Sequence, residues 1–123
     1  MNKTKITKYL AYGVIVMGFV HIAATFSPVI DGKLAPLNEG MHDAVIYFSL
    51  MCGAFLILGG SFVSMMTDKV KEYPFLRRPY MLTLIMLALD GILAAWFMPH
   101  NPCAWVILVL SLPLLVINLR EIS

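Results

Sequence analysis

The sequence predicts an all-α integral membrane protein, a four-helix antiparallel bundle with both termini inside. First, 60% of the 123 residues are hydrophobic, only 13% are charged and mean hydropathy is +0.84, far more apolar than a soluble domain of this size. Second, the apolar residues fall into windows of about twenty, the length that crosses a bilayer: Tyr9 to Phe26, His42 to Met66, Tyr80 to Met98 and Pro102 to Leu119. Third, the basic residues divide unequally across those windows. Lys3, Lys5, Lys8, Lys69, Lys71, Arg77, Arg78 and Arg120 fall on one side and Lys33 on the other. Because Lys and Arg are retained on the cytoplasmic face, that asymmetry predicts an N-in, C-in topology. What remains is short connection, so residues 1–123 form one domain. The positive charge needs no nucleic acid, since topology and anionic lipid headgroups account for it.

The first window follows three lysines and resembles a secretory leader, but Ala23-Ala24-Thr25 is a poor cleavage site, and a retained span is expected. Gly13, Met17, His21 and Thr25 recur every fourth residue, a stripe that should meet the other helices, with Gly18 beside it. His21 is expected about 7 to 8 Å beneath the outer end of its helix. Ser27 to Met41 forms the outer loop, with Asp31 and Glu39 as its acids; composition allows it either to pack on the bundle end or to move as a lid.

Asn38 is a suitable N-cap for the second span, and Glu39 and Asp43 suit the positive end of its dipole. The stripe His42, Ser49, Gly53 and Gly60 is polar at its top and small below, which suits close helix approach and association between copies of the chain. Thr67 to Pro79 is a solvated anchor at the headgroups, or a partner-binding segment.

The third span carries Asp90 in its interior, on a face with Thr83 and Ala94. An aspartate at mid-bilayer costs about 2.5 to 3.5 kcal/mol on insertion scales, so it is expected to face a partner, a cavity or water. Pro99 to Pro102 is so short a turn that the third and fourth spans must be antiparallel neighbours. Trp96 and Trp105 flank it, as an interfacial aromatic belt requires. In the last span Ser111 and Asn118 are seven apart, and Pro113 is expected to bend the helix. Cys52 lies within a span and Cys103 at a span's start, too far apart in depth to bridge, and no C-x-x-C occurs.

His21, His42, Asp43, Asp90 and His100 gather in the outer half. His21 and Asp90 differ in depth by only about 4 to 5 Å, and they are expected to pair. Such a pair either satisfies its own buried hydrogen bonds and pins two helices together, or floors a pocket that accepts a ligand or a proton. The expected ligand contacts are His21, Thr25, His42, Asp43 and Asp90. A metal site from His21, His42 and Asp90, or a haem between His21 and His42, is a further alternative without ligand spacing to support it, so no metal or other cofactor is assigned. His42 and Asp43 are also explained as a helix start, and His100 as a turn residue. The methionines are dispersed rather than clustered as in a copper relay. No serine is set with a histidine and an acid for nucleophilic catalysis, Ser27 near His21 being the nearest approach, and an enzyme is not the favoured reading.

The succession Gly18-Phe-Val-His21, then Tyr47-Phe48 with Leu58-Gly59-Gly60, then Gly91, Met98-Pro99 and Trp105, resembles a small four-span bacterial membrane family, domain of unknown function 6463, over about Gly13 to Arg120. The resemblance implies a bundle in the bacterial inner membrane with a first-helix histidine, and no established activity; Asp90 belongs to no part of that pattern. More loosely the chain resembles the DoxX-like group, in which a redox-accessory role is inferred, though no residue here carries that role over. Three function classes follow as expectations: a binding or accessory protein with an outer polar pocket for a small molecule, lipid group or proton; an oligomeric transporter or channel with Asp90 on its path; and a metal or haem enzyme.

Overall fold

The computed structural model describes residues 2–122, apart from the side chains of Val29, Asp31, Arg120, Glu121 and Ile122. The expected charge contributions of Asp31 and Arg120 therefore lie outside the described residues. Every regular element described is helical: α1 (Lys3–Thr25), α2 (Pro28–Leu34), α3 (Glu39–Met66), α4 (Arg77–Phe97) and α5 (Pro102–Ile122), with a 3-10 turn over Pro74–Leu76 before α4. Four of these helices are long and apolar enough to cross a membrane.

The helices outrun their apolar windows where caps allow. Asn2 accepts the Lys5 amide at 2.9 Å, so α1 starts two turns before Tyr9 and carries its lysines in helix. Asn38 accepts the Met41 amide at 2.9 Å and starts α3 at Glu39, as its position in the sequence suggested. Asn101 accepts the Cys103 amide at 3.0 Å and Pro102 follows as the first residue of α5, where its missing N–H costs nothing. Pro79 is tolerated inside α4 for the same reason, being in the first turn. Pro113 lies deeper in α5, yet the helix continues through it. The outer loop is not irregular throughout: α2 occupies it and buries Leu34.

Around the bundle the order is α1, α3, α4, α5, with α1 against α3 and α4 against α5 forming the closest seams and α3 against α4 the slightest; α1 and α4 lie across the diagonal. The α1–α3 seam is close because glycines face it. A Cβ on Gly53 would come within 2.9 Å of the Gly18 carbonyl oxygen, and one on Gly60 within 2.8 Å of that of Ala11. These small positions, which suggested association between copies, are thus occupied within the chain by α1.

The core runs down the axis through Ala11, Val14, Leu56, Val63, Tyr80, Leu84, Leu87 and Leu114. Most other apolar side chains point away from it, among them Phe19 at 61%, Met65 at 68% and Trp96 at 77% exposure. Water would make such a surface untenable, whereas a bilayer supplies the hydrocarbon it needs.

One end is closed by a buried polar network joining all four long helices. Tyr80 Oη donates to Asn118 Oδ1 at 2.8 Å. The phenol has a single proton, so Thr67, at 3.2 Å from Oη, completes the arrangement by donating its own hydroxyl hydrogen. The two hydrogens of Asn118 Nδ2 go to Thr7 Oγ1 at 3.2 Å and the Leu114 carbonyl at 2.8 Å. Lys8 and Asp68 form an ion pair at the same end.

Candidate functional site

The polar groups at the opposite end, under α2, separate into two neighbouring sites. The first is built on the α1 stripe. Thr25 Oγ1 donates to the His21 carbonyl at 2.9 Å, one turn back, which places it beside the Ser49 hydroxyl of α3 at 2.6 Å. With that proton committed, Ser49 supplies the hydrogen of the Thr25 contact, and His21 Nε2 stands 3.2 Å from Ser49 Oγ on its other side. The close α1–α3 crossing at Gly18 and Gly53 is what brings these side chains within reach.

This chain lines a cavity of about 210 Å³, closed by Ser27, Ile30 of α2, and Asn101 and Cys103 at the start of α5. Of the two loop roles open from the sequence, α2 performs a packing one at this point. Ser27 does stand near His21 in the cavity wall, but its hydroxyl accepts from the Ile30 amide at 3.5 Å and caps α2.

Asp90 belongs to the second site. It sits at the edge of the buried face of α4, whose centre is taken by Leu84, Leu87, Ala88, Gly91 and Ala95. Its carboxyl opens on the α3–α4 seam, a lateral groove of about 440 Å³ lined by Phe48, Met51, Cys52, Phe55, Met86, Leu89, Asp90 and Leu93. Cys52 Sγ donates to Oδ1 across 3.7 Å, a weak contact, while Oδ2 is buried without a partner. Cys52 and Cys103 are both free thiols.

The expected direct pairing of His21 with Asp90 does not form. Their helices are diagonal in the bundle, so similar depth along the axis does not become contact; each group turns to α3, His21 to Ser49 and Asp90 to Cys52. His42 and Asp43 stand outside both sites, 3.4 Å from each other at the exposed start of α3. Consequently His21, His42 and Asp90 are not gathered, and no group of three metal-ligating side chains occurs among the described residues. Of the two histidines expected for a haem, only His21 lines the cavity, and His42 is at the exposed start of α3. Ser49 and Cys52 were the functional candidates that sequence reasoning passed over, although both are spaced on α3 at the depth of the α1 and α4 polar groups.

No protein-family model, curated protein or solved structure matches this chain.

Proposed function

We propose that the chain is a small binding or accessory protein of a bacterial inner membrane, with both termini cytoplasmic and the cavity beside His21 accepting a polar small molecule or lipid group. The observation that supports it is that the hydrogen-bonded side chains of His21, Ser49 and Thr25 all stand in the wall of one cavity. His21 Nδ1, Asn101 and the Cys103 thiol supply further donors and acceptors around it, with no carboxylate or ammonium group in the lining. An uncharged hydrogen-bonding group is therefore the best match. The resemblance to domain of unknown function 6463 implies an inner-membrane bundle of this kind, and rests on its short motifs alone. Native mass spectrometry of protein extracted in mild detergent tests the reading. One bound molecule per chain in the wild type, lost in His21→Ala and in Ser49→Ala, is the expected result. Equal retention in all three, or no bound species at all, returns this cluster to a purely packing role.

A second reading, an oligomeric transport path lined by Asp90, is supported by the opening of the α3–α4 seam to the side, where another copy would have to complete the path. Proton or ion flux in proteoliposomes that disappears in Asp90→Asn is its signature. The metal or haem enzyme is not carried further, because its ligands are dispersed.

A further inference from the structure

From the lateral groove between α3 and α4 we infer a second site, one for a lipophilic amine that enters from the hydrocarbon with its ammonium group on Asp90. The groove has the size of a small-molecule site, and every lining side chain except Cys52 and Asp90 is a phenylalanine, methionine or leucine. Such walls take an apolar body. Phe48 and Phe55 add aromatic faces, and Met51 and Met86 add adaptable thioethers, both favourable beside an organic cation.

Charge decides the polar end of the ligand. The carboxyl has one weak thiol donor and one oxygen with no donor at all, so its hydrogen-bonding capacity is largely unspent. Rotation about the terminal torsion of an aspartate is broad and two-fold, which lets either oxygen turn to the groove. An ammonium group would supply both the missing donors and the counter-charge that an enclosed carboxylate requires. A neutral alcohol supplies a donor without the charge, and an anion is repelled. The groove is separate from the His21 cavity, so this inference stands whether or not that cavity takes a ligand.

Methionine-methyl NMR in lipid nanodiscs reads the site directly, with 1-aminoadamantane as the probe and 1-adamantanol as its neutral counterpart. Saturable shifts of the Met51 and Met86 resonances are expected with the amine. Affinity should fall about tenfold or more in Asp90→Asn, or when the alcohol replaces the amine. Leu89→Trp, which fills the groove and leaves the carboxyl in place, should abolish the shifts. Folding of each variant is verified by its methyl spectrum away from the groove. No saturable shift in the wild type overturns the inference, as does equal affinity for amine and alcohol. Undiminished binding in Leu89→Trp overturns it even if Asp90→Asn cannot be folded.

Discussion

Replacing Tyr80 with phenylalanine isolates the energetic value of the buried network that ties the four long helices at the end away from α2. The side chain is fully buried, and the substitution removes one oxygen while leaving the ring in its packing site. Two hydrogen bonds are lost, the donation to Asn118 Oδ1 at 2.8 Å and the acceptance from Thr67 at 3.2 Å. Interhelical hydrogen bonds within membranes average about 0.6 kcal/mol, with a maximum near 1.7. Leaving the Asn118 oxygen buried and unpaired raises the cost toward the upper part of that range, so Tyr80→Phe should destabilise by about 1 to 2 kcal/mol. Reversible unfolding in mixed micelles of rising dodecyl sulfate fraction, followed by far-ultraviolet circular dichroism, measures it. Asn118→Leu removes the same bond from the other side together with the Thr7 contact, and in that background Tyr80→Phe should cost less by about 0.6 kcal/mol or more. A Tyr80→Phe variant within about 0.3 kcal/mol of wild type, or two substitutions that simply add, would refute the network as a unit.

Helix crossing gives a sharper contrast between glycines. Gly53→Ala puts a methyl 2.6 Å from Ile22 Cγ1 and 2.9 Å from a backbone oxygen that cannot yield, so a loss of about 1 to 3 kcal/mol is expected in the same unfolding assay. Gly32→Ala, with nothing within 4 Å, should lie within about 0.5 kcal/mol of wild type. Ser111→Ala removes a buried hydroxyl that has no partner, and its midpoint should match or exceed wild type by up to about 1 kcal/mol. In a Cys52→Ser background, an impermeant maleimide should label Cys103 in intact spheroplasts; labelling only after lysis would invert the proposed orientation.

The legible parts of the sequence were those that depend on distance along the chain. Hydropathy located the four spans, Asn38 announced its cap, and the four-residue turn at Pro99 to Pro102 fixed α4 beside α5. Depth was legible too, since rise per residue converts sequence position directly into height. That sufficed to put Thr25, Ser27 and His21 together, and would have sufficed to find Thr7, Thr67, Tyr80 and Asn118, which lie at helix ends on one side of the bundle. It did not suffice for Asp90.

By itself, then, the sequence determined that four apolar helices exist and about where along the chain each lies, because those properties follow from local hydrogen bonding and transfer of side chains out of water. Which helix stands next to which was decided only in the tertiary structure. Glycine contacts drew α1 onto α3 and left α1 diagonal to α4, so the imidazole met a serine and the carboxyl was left on an open seam. Lateral order depends on the shapes of facing surfaces, a relation among distant residues that no periodicity along one helix contains.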